Sequence, residues 1–88
     1  MTIELDGGQM TDRERAHDHL SRQFALPEYY GRNLDALYDL LTERKEPTDI
    51  VLRNRGALEK HLGAYAHALL QTLRDAARDN PRVRWMED

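Results

Sequence analysis

Pro47-Thr48-Asp49-Ile50-Val51-Leu52 lies at the middle of the chain, and its reading decides the fold. Pro47-Thr48-Asp49 breaks the helical pattern before it, and Ile50-Val51-Leu52 reads as a short buried strand. Working back, Asn33 to Glu43 has helical spacing with Asn33 as N-cap. Before it, Thr11 and Glu14 form a capping-box pattern. They open a helix whose buried stripe is Ala16, Leu20 and Phe24, stopped by Pro27. Met1 to Asp6 alternates Met1, Ile3 and Leu5 with polar residues, a strand ended by a Gly7-Gly8 turn. Working forward, Ala57 to Asp79 is helical, with Leu62, Tyr65, Leu69, Leu73 and Ala76 on one face and an interruption at Gly63. Pro81 closes it, and Val83 to Met86 reads as a last strand. The order is β-α-α-β-α-α-β. Strands separated by long helical segments cannot be joined by tight hairpins, so they run parallel. The expectation is a small α/β fold, one domain over residues 1–88, with a three-stranded parallel sheet and four helices. Strand order stays open.

Bulk properties bound the function. With 88 residues there is room for one modest core, and every layer has to count. Apolar residues make up 40% and charged residues 33%, a globular rather than disordered balance. No apolar run approaches the roughly 20 residues that span a bilayer, and no basic stretch followed by an apolar one resembles a secretory signal. Cysteine is absent, which removes disulfides, thiolate nucleophiles and zinc–thiolate sites and suits a reducing cytoplasm. The expectation is a cytoplasmic protein, without a membrane partner. The formal net charge of −3 argues against general nucleic-acid binding, which draws on excess Lys and Arg. It suits a basic partner.

The distribution of charge is more informative than its total. Residues 33–43 hold Asp35, Asp39 and Glu43 and no Lys or Arg, so this one segment equals the whole-chain excess. At about 100° per residue, Leu34, Leu37, Tyr38, Leu40 and Leu41 fall on one broad arc and the three carboxylates on the other. Like charges at i and i+4 cost a few tenths of a kcal/mol per pair. Asp35 has a structural reason to be there, since the helix N-terminus favours anions; Asp39 in mid-helix has none, and Glu43 near the C-terminus is slightly unfavourable. From spacing alone, a solvated charged face is the commoner explanation and a binding surface the alternative.

Four histidines invite a metal or catalytic reading. His17 and His19, two apart on a helix, point to nearly opposite sides, and His61 and His67 are also misphased. No HExxH, phosphate loop or nucleophile motif occurs. The expectation is exposed or half-buried helix histidines, no metal, no cofactor and no enzymatic activity.

The stretch Ala25-Leu26-Pro27-Glu28-Tyr29-Tyr30-Gly31-Arg32-Asn33-Leu34-Asp35-Ala36-Leu37-Tyr38-Asp39-Leu40-Leu41-Thr42 closely resembles the barstar family of intracellular ribonuclease inhibitors. It departs from the family pattern at Arg32, Tyr38 and Leu40, and Leu70 to Ala76 resembles the family's last helix. The resemblance implies a one-to-one inhibitor, monomeric when free, of a secreted microbial guanyl-preferring ribonuclease. It implies that the second helix and the loop before it enter the enzyme's active site. A ribonuclease site gathers cations around RNA phosphates, and carboxylates can take the phosphates' places. Asp39 would stand in for a phosphate, Asp35 would pair with neighbouring cations, and Tyr29 would pack on the catalytic imidazole. Asp75 falls where the family has a glutamate and is one methylene shorter. Gly31, Asn33, Leu34 and Tyr38 would supply rim and packing contacts, Tyr38 replacing a tryptophan. Arg32, replacing an acidic residue, would weaken the negative field. Thr42 closes the matching stretch, and the charged Glu43-Arg44-Lys45 that follows, where the family has Gly-Trp, would alter the choice of ribonuclease or add a contact.

Two other readings stand beside this one: an adaptor of the same build that binds a basic protein other than a ribonuclease, and a small RNA-binding domain. The acidic balance and the lack of a basic aromatic platform disfavour the last.

Overall fold

A computed structural model describes residues 1–87. Thr48–Arg53 (β2) is the central strand, with Thr2–Asp6 (β1) and Val83–Glu87 (β3) on either side and parallel to it. Ile3 pairs with Ile50 and Leu5 with Leu52, so the period-two pattern stacks aliphatic side chains on one face. Each parallel step is bridged by two helices: Arg13–Phe24 (α1) and Leu34–Thr42 (α2), then Arg55–Leu62 (α3) and Ala64–Asp79 (α4). The expected α/β class, with four helices and a three-stranded parallel sheet, is what the chain adopts.

The core joins Ile3, Leu5, Ile50 and Leu52 to Leu20 and Phe24 of α1, Leu37 and Leu41 of α2, and Leu69, Leu70 and Leu73 of α4. The other sheet face is open to solvent and carries cross-strand charge pairs: Arg53 to Glu4 at 3.3 Å and Arg84 to Asp49 at 2.8 Å.

Element ends differ from the sequence reading in instructive ways. The N-cap of α1 is Asp12, whose carboxylate accepts from the Arg15 N–H at 2.8 Å, instead of Thr11. The helix ends before Pro27, where Ala25 takes a left-handed conformation (φ 53°) and Leu26 N–H bonds Ser21 O at 2.9 Å. Those bonds close the last turn without the proline. The next helix begins at Arg55, ahead of Ala57. The break at Gly63 is as expected, and its φ of 58° is a conformation that suits glycine. Gly7 opens a short 3-10 turn over Gly7–Gln9, where a Cβ would lie 2.2 Å from Asn54 O. Only glycine lets the end of β1 approach the β2–α3 corner so closely.

The histidines need a larger correction. His61 and His67 are exposed, but His17 (3% exposed) and His19 (5%) are buried. Each is buried because it has polar partners. His17 Nδ1 lies 2.5 Å from the Tyr30 hydroxyl and Nε2 lies 2.7 Å from that of Tyr65, while His19 Nε2 accepts from the Asp6 N–H at 3.0 Å.

Candidate partner-binding site

Helix α2 is held at both ends and along one side. At its start the Asn33 side-chain Oδ1 accepts from Ala36 N–H at 2.7 Å, satisfying one of the first turn's orphan donors. At its end the buried Asn80 side chain donates to Leu41 O and to Arg44 O, both at 2.9 Å. Leu37 and Leu41 are fully buried in the core, where α2 packs on α4. Complete burial of a leucine contributes roughly 1.5–3 kcal/mol, so this pair fixes which side of α2 faces inward.

The opposite side is therefore committed to solvent. Asp35, Asp39 and Glu43 are all exposed. Among the described residues no Lys, Arg or His of this chain comes within ion-pair distance of them. Arg32, the cation nearest in sequence, is turned away: its guanidinium meets Asp18 at 2.7 Å and the Glu14 carbonyl at 3.0 Å. Its main chain is left-handed (φ 55°), a conformation uncommon outside glycine.

The loop before α2 supplies the aromatic part. Tyr29 is 80% exposed, an unusual place for a ring of that size, while Tyr30 is buried at 7%. Tyr29, Gly31, Ala36, Asp39, Leu40 and Glu43 line an open cleft of about 240 Å³ with carboxylates at one rim. Gly31 O accepts from the Asn33 side-chain amide at 3.2 Å, so Asn33 shapes the loop as well as the helix start.

On the side of α2 nearer α4, Tyr38 is half-buried and donates its hydroxyl to Asp79. That bond raises the Tyr38 pKa, and Arg78 and Tyr38 together hold the Asp79 carboxyl below the usual carboxylate range. Arg78 also reaches Asp75 at 3.3 Å, and Gln71 donates to Asp75 at 2.8 Å. Asp75 is thus joined to the acidic face through Arg78, Asp79 and Tyr38, but its carboxylate already has partners. Leu34 is half-buried against the core, and the Thr42 hydroxyl is spent on the carbonyls of Tyr38 and Asp39 at 2.9 and 3.0 Å.

Arg44 lies apart from this surface. Its side chain is 15% exposed, donates to Thr48 Oγ1 at 2.7 Å and to Phe24 O at 3.2 Å, and sits 5.6 Å from the Phe24 ring. It ties the α2–β2 loop to the end of α1. Two residues that the sequence did not mark as part of the site emerge here: Asn80, which caps α2, and Asp79, which touches Tyr38. Asp79 had a signal, standing four residues after Asp75 on the same helix. Asn80 had none, because its partners lie far away in sequence.

The chain matches the family model described as Barstar (barnase inhibitor) over residues 1–86. It is 40% identical over 75 residues to a Bacillus subtilis (strain 168) protein named "Putative ribonuclease inhibitor YrdF", a match covering 84% of this chain and 82% of that protein. A tyrosine-bearing loop and an acidic helix on a three-stranded parallel α/β frame, with a family match along nearly its whole length, make this chain a member of the Barstar family.

Proposed function

We propose that this protein inhibits a secreted microbial guanyl-preferring ribonuclease by inserting the exposed face of α2 and the Tyr29 loop into its active site. The observation that carries this reading is the pairing state of Asp35 and Asp39: both face solvent, with no cation among the described residues within ion-pair distance. Carboxylates held in this way are available to the Arg, Lys and His groups that a ribonuclease gathers around RNA phosphate. Asp39 stands where a phosphate would sit, Asp35 pairs with neighbouring cations, and the Tyr29 ring covers the catalytic imidazole. The protein does no chemistry of its own. It presents an anion with no ester to cleave. One copy blocks one enzyme, from the cytoplasm of the producing cell, where a chain without cysteine needs no oxidising environment.

Family membership and the relative's name support the ribonuclease as partner. The experiment is a panel of small microbial ribonucleases titrated with the purified protein, reading residual RNA cleavage. One-to-one loss of activity is expected for at least one member, with association slowing steeply as salt rises. A panel left fully active would overturn the reading. Recovery from the native host of a basic protein that does not cleave RNA would favour the adaptor instead.

A further inference from the structure

The loop that displays Tyr29 is tied down by a buried relay that the acidic face does not use. Tyr30, next to Tyr29, places its hydroxyl 2.5 Å from His17 Nδ1, and the other imidazole nitrogen lies 2.7 Å from the Tyr65 hydroxyl. The three residues come from the loop, from α1 and from α4. The donor count closes. A neutral imidazole has one N–H and one lone pair, so one tyrosine donates to it and the other accepts from it, whichever tautomer is present. The ring of Tyr65 also lies under the Arg13 guanidinium, 4.1 Å from its centroid. The loop is also closed locally by Tyr30 N–H to Pro27 O at 3.0 Å, and farther along by the Arg32 guanidinium on Asp18 and the Glu14 carbonyl. The relay is the long-range hydrogen-bonded hold that acts on the Tyr30 side chain itself, next to Tyr29.

We propose that Tyr65 is a positioning residue for partner binding: through His17 and Tyr30 it fixes the loop that presents the Tyr29 ring. The proposal rests on the binding face assigned above, although Tyr65 stands outside that face. A partner that packs against Tyr29 then meets a ring already in place, and the ordering cost falls before binding rather than during it. Without the Tyr65 hydroxyl one imidazole nitrogen loses its partner, His17 can rotate, and Tyr30 loses its fixed acceptor or donor.

Tyr65→Phe keeps the ring and its contact with Arg13 and removes only the hydroxyl. Its dissociation from an inhibited ribonuclease should be roughly threefold to tenfold faster, the range one hydrogen bond supplies. A double-mutant cycle separates positioning from general destabilisation. In a Tyr29→Ala background Tyr65→Phe should change dissociation hardly at all, whereas in an Asp35→Asn background the full factor should persist. An equal factor in both backgrounds overturns the proposal and leaves the inhibitor reading intact. Amide hydrogen exchange of the free protein gives a readout that needs no ribonuclease. The Tyr30 and Gly31 amides should exchange several-fold faster in Tyr65→Phe while β2 amides stay unchanged. Unchanged loop exchange overturns the relay. Faster loop exchange in a protein that inhibits no ribonuclease sustains the relay and removes the function assigned to the loop.

Discussion

Two exposed surfaces of this molecule carry carboxylates, and they treat them oppositely. On the open sheet face Glu4 faces Arg53 and Asp49 faces Arg84, each pair joining neighbouring strands. On α2, Asp35, Asp39 and Glu43 line one side of a helix that contains no Lys or Arg. Arg32, next to that helix, is diverted to Asp18. The sheet face neutralises itself, and the helix face does not. Exposed charge is ordinary in a soluble domain; a row of like charges without counter-charges is a small standing cost that the fold tolerates. The contrast is what the proposed role of α2 as a partner-binding surface rests on.

The strongest way to break the contrast is to remove one carboxylate from each surface. Asp39→Ala is expected to weaken inhibition by about 2 kcal/mol or more, roughly 30-fold or greater in Kd, chiefly through faster dissociation. Charge pairs of the barnase–barstar complex are among the systems from which that range comes. Asp49→Ala, measured in the same titration, should leave inhibition as it was. Equal losses from the two would erase the distinction between the surfaces.

The next test asks whether the α2 face depends on hidden support. Asn80→Ala removes the buried donor to Leu41 O and Arg44 O, and urea unfolding should show a loss of about 1–3 kcal/mol. A variant as stable as the parent would mean that water caps those carbonyls equally well.

Lowering the pH should separate the interior from the surface. Burial pushes the His17 pKa below 6.5, helped by Arg32 and Arg13 and opposed by Asp18; burial also lowers that of His19. The unfolded chain then binds more protons than the folded one once pH drops below the ordinary histidine range. Stability should be level above about pH 7.5 and decline as pH falls through 6.5, by at most ~1.4 kcal/mol per pH unit for each histidine. Asp6, Asp49 and Asp79, whose pKa values are lowered by their hydrogen-bond partners, contribute stability above pH 3.8 that is lost only at lower pH. Melting temperature against pH should show the histidine decline first. A level profile from pH 7.5 to 5 would contradict the burial of both rings.

The smallest effect belongs to Arg84→Gln, which breaks a cross-strand pair on the open face. Inhibition and its salt dependence should match the parent, because exposed pairs contribute little and this one lies off the binding face.

What the sequence disclosed and what it hid follow from the range of the interactions. The strands and the inward side of α2 come from periodicity, and the Asn33 cap and the Gly63 break come from neighbouring residues, so all were legible. Thr11 and Asp12 are adjacent cap candidates, and pattern alone does not choose between them. The destinations of long side chains were not legible. Arg44 turns to Phe24, Arg32 to Asp18, and His17 to Tyr65, each across a separation that periodicity does not see. The acidic face was visible as a stripe. Its freedom from counter-charge was not, because that depends on where the arginines go.

The parallel sheet also governs when the inhibitor becomes active during synthesis. β1 must wait for β2, and β2 for β3, each a partner that leaves the ribosome two helices later, so neither pairing can form as a local hairpin. The acidic helix leaves the ribosome before β2 and α3, yet the α4 leucines that hold its inner side and the Asn80 amide that secures its far end come only after them. A nascent chain halted after β2 would present the aspartates on an unanchored segment, and blocking activity should appear abruptly, only once α4 has emerged and docked.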